Sequence, residues 1–167
     1  WVYLEPIFGT RDIASQLPIE ASKFSQVDRF FKDLQRKTAQ QPLVIEAATR
    51  PELQKQLMGA NQSLEEIQKA LEEYLEKKRQ AFPRFYFLSN DELLEILSQS
   101  KEPSAVQPHL HKCFDAIAAL EFGEDGAGST RGKMAMLGMV SVDGERVAFD
   151  EANGLPYTDG KAEVWLG

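Results

Sequence analysis

A chain of 167 residues with 43% hydrophobic and 27% charged side chains is long enough for about one domain with a buried core and has the balance of a soluble globular fold. Its net charge of -7 argues against polyanion binding as its main task, because nucleic acid and anionic membranes require a basic face. Cys113 is the single cysteine, so no internal disulfide forms, and no apolar run is long enough to span a bilayer.

Trp1 to Phe8 is apolar and closes near Pro6 and Gly9, the pattern of a helix tail; Asp12 to Leu17 is a short turn or helix stopped by Pro18. From Ile19, the spacing of Phe24, Val27, Phe31 and Leu34 predicts one apolar helical face, widened by Phe30 and fading before Pro42. Leu43, Val44 and Ile45 read as a brief apolar contact, and Pro51 fits the first turn of the next helix. From Glu52 to Gln80, the residues Leu53, Leu57, Ala60, Leu64, Ile67, Leu71 and Tyr74 recur at threes and fours, close to a heptad seam. Unbroken, this helix would be about 45 Å long at 1.5 Å per residue. Gly59 and Asn61 weaken it, and Ser63 with Glu66 offers a capping box, so a break is expected at Gly59–Gln62. The seam suits a coiled coil with a partner or an intramolecular bundle, and apolar-faced helices on both sides favour the bundle. Lys77, Lys78, Arg79 and Arg84 form a local basic patch that reads as the solvated end of a helix.

The stretch Phe82 to Leu97, FPRFYFLSNDELLEIL, reads as helix stop, aromatic plug and helix start. Pro83 cannot continue the preceding helix. Phe82, Phe85, Tyr86 and Phe87 place four rings in six residues, an expected core anchor. Ser89 and Glu92 have capping-box spacing, with Asp91 adding negative charge at the helix start. The expected structural anchor is therefore Phe82, Pro83, Phe85, Tyr86, Phe87, Ser89 and Glu92. Leu93, Leu94, Ile96 and Leu97 bury the helix, which Lys101-Glu102-Pro103 ends. Ser104 with Gln107 predicts another capped helix, carrying Leu110, Phe114, Ile117 and Leu120 inward and ending at Phe122–Gly123. Cys113 shares that face and is expected to be a buried small hydrophobe.

Gly123 to Gly132 is glycine-rich and expected to be flexible. Ala135 to Val142 and Glu145 to Phe149 flank Asp143-Gly144, which predicts a hairpin with a type I′ turn. Ala152 to Asp159 reads as irregular and AEVWLG as a helix beginning; with Trp at position 1, both ends suggest an excised piece of a larger chain. The expected fold is mainly α: a helical bundle over residues 1–122, a flexible loop over 123–134, a β-hairpin over 135–149, and an irregular segment over 150–167 leading into a truncated helix.

Few residues invite chemistry. The loop GEDGAGST lacks the lysine a P-loop needs, with Ser129 after Gly128, and the segment that follows reads as strand rather than helix. His109 and His111 share a face only in a strand, and no third ligand accompanies them, so no metal site is expected. Asp91, Glu92 and Glu95 are explained by capping and a solvated face. A hydrolase using Asp91 or Glu95 with His109 has little behind it. No catalytic, cofactor-binding or metal residues are assigned.

FPRFYFLSNDELLEIL, followed by Ser104 to Phe114, resembles the linker region of dynein heavy chains, the AAA+ microtubule motors. The likeness extends upstream through LEPIF (Leu4 to Phe8), QLP (Gln16 to Pro18), VDRFFK (Val27 to Lys32) and EEYLEKKR (Glu72 to Arg79). It returns downstream in SVDGERVAF (Ser141 to Phe149) and EVWL (Glu163 to Leu166). The wording is closer to axonemal, inner-arm heavy chains than to the cytoplasmic form. The resemblance implies an elongated rod of helical bundles across the AAA+ ring of the same heavy chain, acting as a lever in the power stroke. It implies that ATP and Mg are held in the ring and not here, and that the microtubule and other dynein subunits are met through other regions. It implies a ciliary or flagellar axoneme as the location, with neither nucleic acid nor membrane as partner. On that basis Ser100 to Ser104 and Gly123 to Gly132 are hinge candidates, and Asp143 and Gly144 are candidate ring contacts. The competing reading is a helical scaffold that binds a partner along the Leu53–Tyr74 seam.

Overall fold

Apolar periodicity in the first half of the chain winds into helices, and the second half adds a small sheet. The computed structural model describes residues 1–98, 103–124, 134–149 and 162–167. These are mainly helical, with one three-stranded antiparallel sheet. The chain divides into two units, Trp1–Tyr74 and Leu75–Gly167.

The first unit contains α1 (Leu4–Gly9), α2 (Arg11–Gln16), α3 (Pro18–Gln40), α4 (Val44–Ala48) and the greater part of α5 (Leu53–Ala81). Pro18 sits in the first turn of α3, where no N–H is needed. The α3 stripe buries Phe24 and Val27, and Leu4, Ile13, Ile67 and Leu71 are also buried. Phe8 stacks on Phe24 at 5.5 Å, and Trp1 lies 5.1 Å from Phe31 while its indole N–H donates to Asp28. Lys23 of α3 bonds Glu66 of α5 at 2.7 Å.

Three expectations fail here. Pro51 precedes α5 instead of opening it, because Glu52 adopts the left-handed region at φ 60° and the helix starts at Leu53. No break occurs at Gly59–Gln62: Ser63 donates back to the Gly59 carbonyl within the helix instead of capping a new one. Leu43, Val44 and Ile45 make no apolar contact of note; they are exposed, the last two on the short helix α4. The seam is buried at Ile67 and Leu71, whereas Leu57 is exposed.

The second unit begins within α5. A 3-10 helix (Pro83–Phe87), α6 (Asn90–Ser98), a second 3-10 helix (Pro103–His109) and α7 (Leu110–Cys113) follow. Then come β1 (Ile117–Glu124), β2 (Met134–Ser141), β3 (Arg146–Ala148) and α8 (Ala162–Trp165). Leu93, Leu94, Ile96 and Leu97 of α6 are all buried, as expected, and so is Cys113.

The largest correction is at residues 114–122, expected as helix but found as an extended turn leading into strand from Ile117, so the helical region does not extend to 122. Phe114 turns extended at φ -140°, ψ 120°, and β1 pairs antiparallel with β2 from Ile117↔Ser141 to Glu124↔Met134. Gln107 does not cap a helix. Its side-chain amide donates to the Leu120 carbonyl and accepts from the Leu120 N–H, taking the place of a neighbouring strand. Of the loop expected over 123–134, Gly123 and Glu124 end β1 and Met134 starts β2. Residues 125–133 lie outside the described residues, as do 100–102 of the first hinge candidate and the irregular stretch Ala152 to Asp159. Pro103 and Ser104 belong to the second 3-10 helix.

The hairpin is present, with a different turn. Gly144 has φ 83° but Asp143 does not have positive φ, so the turn is not type I′. Gly144 N–H donates to the Ser141 carbonyl at 3.1 Å and Ser141 N–H to the Glu145 carbonyl at 2.8 Å. That is a type I turn closed by a left-handed glycine in a bulge. The hairpin is also part of a sheet, in the order β1-β2-β3.

Candidate functional site

The junction between α5 and α6 concentrates the specific contacts of the second unit. Pro83 ends α5 and opens the 3-10 helix. With three residues per turn, positions three apart share a face. Phe82, Phe85 and Leu88 therefore point inward and are buried, Phe85 completely, with Phe82 and Phe85 edge to face at 4.9 Å. Tyr86 and Phe87 point outward, 53% and 70% exposed. Only two of the four rings expected in the core are there: Phe82 and Phe85 are buried, whereas Tyr86 and Phe87, like Pro83, are exposed.

Lys77 is exposed, as a solvated helix end requires, but the other three cations of the basic cluster are engaged. Arg79 Nη2 donates to the Leu88 carbonyl at 3.2 Å and to Asn90 Oδ1 at 2.8 Å, and Nε donates to the Phe85 carbonyl at 3.4 Å. One guanidinium thus brackets the turn. Arg84 donates to the Cys113 carbonyl at 2.8 Å and lies 4.7 Å from the Phe114 ring centre. Lys78 is buried and bonds Glu163 of α8, while Trp165 meets Phe122 edge to face at 6.0 Å. The partners of Arg84 and Lys78 are 29 and 85 positions away, so no local pattern announces them.

The capping box forms as its spacing requires. Ser89 N–H donates to Glu92 Oε2 at 2.9 Å and Glu92 N–H to Ser89 Oγ at 3.3 Å. Lys112 donates to Glu92 Oε1 at 2.6 Å. That bond, followed by the Ser89 N–H, holds the Glu92 carboxyl down to about 2, so it stays ionised near neutrality and offers no proton. Buried His109 lies between two carboxylates, with Nδ1 3.8 Å from Glu92 and Nε2 3.3 Å from Glu95, the latter not aligned for a hydrogen bond. His111 is exposed and stands apart. Burial pushes the Cys113 thiol up, which lowers its thiolate fraction. Among the described residues no group of three metal-ligating side chains comes together. The glycine-rich segment joins two antiparallel strands, so the described residues beside it supply no helix N-terminus to face a phosphate. What these contacts do is hold several segments in one arrangement.

On the sheet, Arg146 donates to Glu121 at 2.6 Å across the strand that carries Gly138. A Cβ at Gly138 would lie 2.8 Å from the Val147 carbonyl and 2.9 Å from Glu121 Oε2. Asp143 and Gly144 are exposed at the hairpin tip.

Comparison with known proteins places these features in a family. The family described as "Dynein heavy chain, N-terminal region 2" matches residues 1–167. Human "Dynein axonemal heavy chain 6" is 49% identical over 178 aligned residues, covering all of this chain and 4% of that protein. Human "Dynein axonemal heavy chain 3" is 46% identical, covering 99% of this chain and 4% of its own length. Mouse "Dynein axonemal heavy chain 12" is 46% identical, with 99% and 5% covered. The chain therefore spans about one twentieth or less of these relatives.

Proposed function

The chain belongs to the dynein heavy-chain family, and from that membership we propose that it is a segment of the linker, the lever that carries ATP-driven changes of the motor ring toward the tail. The observation that carries this reading is the bracketed junction: Arg79 spans three acceptors on the turn and Arg84 ties it to the end of α7. Such a junction resists bending, because each contact must break before the turn can open.

In this reading the parent polypeptide is an ATP-hydrolysing, microtubule-based motor of the ciliary or flagellar axoneme. The axonemal names of the relatives support that location. ATP and Mg belong to the ring of the same heavy chain, and this segment holds neither. The microtubule and other dynein subunits engage other regions. Asp143 and Gly144, at the exposed hairpin tip, are the proposed ring contact. The scaffold reading is weaker, since Ile67 and Leu71 of the seam are already buried within the first unit.

The test is the double substitution Arg79→Ala, Arg84→Ala in the full heavy chain. Microtubule gliding velocity is expected to fall several-fold while basal ATP turnover stays within about twofold. An equal fall in both would remove the lever role.

A further inference from the structure

The hairpin tip joins an aspartate to a glycine, and both are exposed. No described residue bonds the Asp143 carboxylate. No atom beyond the chain neighbours of Gly144 lies within 4 Å of the place its Cβ would take. The Gly144 N–H is held by a bond to the Ser141 carbonyl at 3.1 Å, and an exposed turn opens locally at small cost. Once free, the Gly144 nitrogen reaches Asp143 Cγ by closing a five-membered ring, an attack favoured by its intramolecular geometry. A side chain on the following residue would obstruct that approach, and glycine has none.

We propose that Asp143 is a modification site at which the main chain isomerises without an enzyme. The Gly144 nitrogen bonds to Asp143 Cγ and gives up its proton, a carboxyl C–O bond breaks, and that oxygen leaves as water, forming a succinimide. Water then adds to one ring carbonyl. Breaking the bond from the Gly144 nitrogen to Cγ restores aspartate; breaking its bond to the Asp143 main-chain carbonyl carbon leaves isoaspartate. The water lost is regained, and nothing is oxidised or reduced. Isoaspartate lengthens the main chain by one carbon between Ser141 and Glu145, whose backbone bond closes the loop at 2.8 Å. The turn sets the register of β2 and β3. β3 pairs at Gly138↔Ala148, Met139↔Val147 and Val140↔Arg146, and its residues are exposed, so little apolar burial opposes a shift. The reaction is internal to the turn and does not rest on the lever role.

The experiment keeps the full-length heavy chain near neutral pH in water enriched in heavy oxygen, so that each passage through the ring installs one heavy atom. Trypsin in ordinary water then cuts after Lys133 and Arg146, releasing residues 134–146, in which Asp143 is the one aspartate. Fragment ions locate the label. The reference is Asp115, which is exposed and followed by Ala116. Label at Asp143 is expected to exceed that at Asp115 at least fivefold, and to fall at least fivefold in Gly144→Asn. Asparagine tolerates the left-handed backbone found there, at φ 83°, while adding a side chain. A smaller ratio in either comparison overturns the proposal, as does labelled peptide that contains aspartate alone. The Arg79/Arg84 variant tests the lever separately, so either idea can fall while the other stands.

Discussion

Replacing Lys78 with Met strands the Glu163 carboxylate. The two side chains are 10% and 7% exposed, so water screens the pair little. Breaking a buried pair by removing one partner costs about 3–5 kcal/mol. The upper half of that range is expected for Lys78→Met, because Glu163 Oε2 is already buried without a hydrogen bond and the lost ammonium was the neighbour of Oε1. Glu163→Leu, which takes the buried carboxylate from Lys78, is expected to cost about 3–5 kcal/mol as well. The double variant Lys78→Met, Glu163→Leu replaces the pair with hydrocarbon of similar volume and should lie within about 1 kcal/mol of the parent. The coupling in the double-mutant cycle is then large and of opposite sign to the single losses. Urea unfolding followed by Trp165 fluorescence, with Trp1→Phe throughout to leave one tryptophan, reads the second unit alone. If the double variant loses the sum of the two singles, the pair is not coupled and the reasoning is wrong.

The 3-10 period makes a paired prediction: Phe85→Ala costs about 3–5 kcal/mol, whereas Phe87→Ala changes the urea midpoint of this chain by no more than about 0.5 kcal/mol equivalent. Arg79→Lys should recover little of the loss in Arg79→Ala, about 2 kcal/mol for hydrogen bonds from a charged donor, because one ammonium cannot span three acceptors in the fixed geometry of a guanidinium; thermal unfolding of both variants checks it. Gly138→Val forces a side chain against the Val147 carbonyl and Glu121 and should cost about 1–3 kcal/mol, seen as a lower melting temperature. Glu92 has a folded-state pKa depressed to about 2 by Lys112 and Ser89. Its contribution is therefore fully present above its ordinary value of 4.5 and is lost as pH falls from there toward 2. Glu92→Gln should flatten the pH dependence of the urea midpoint in that window, and an unchanged slope would refute the assignment.

Much of the helical half was legible because its signals are local. The helix from Ile19, the Phe24–Val27 face and the Ser89–Glu92 box each depend on residues within one or two turns, and each is found, the helix opening one residue earlier at Pro18. The failures share a cause. Leu110, Phe114, Ile117 and Leu120 fit a helical face, but β1 gains its ladder from β2, and its edge is met by the Gln107 amide. Neither partner lies within the window in which periodicity is read. Gly59 was overrated as a breaker because a single glycine costs only about 1 kcal/mol in a helix, less than the burial of Ile67 and Leu71 further along the same helix returns.

The basic cluster shows the same limit more sharply, and it changes what the junction means. A run of Lys and Arg at a helix end satisfies the dipole argument whether or not the side chains are solvated, so the sequence could not separate decoration from structure. The geometry does. The three cations serve different acceptors: Arg79 takes the Leu88 carbonyl just past the 3-10 turn, Arg84 takes the carbonyl where α7 ends, and Lys78 takes a buried carboxylate. The two carbonyls lie where a regular element stops and backbone would otherwise go unsatisfied, whereas the Glu163 carboxylate lies in the first turn of α8. A junction closed this way is expected to open cooperatively, because its contacts share one turn. Cooperative opening of that kind is what a turn that transmits force requires, and a turn whose Arg79, Arg84 and Lys78 variants combined additively would lack it.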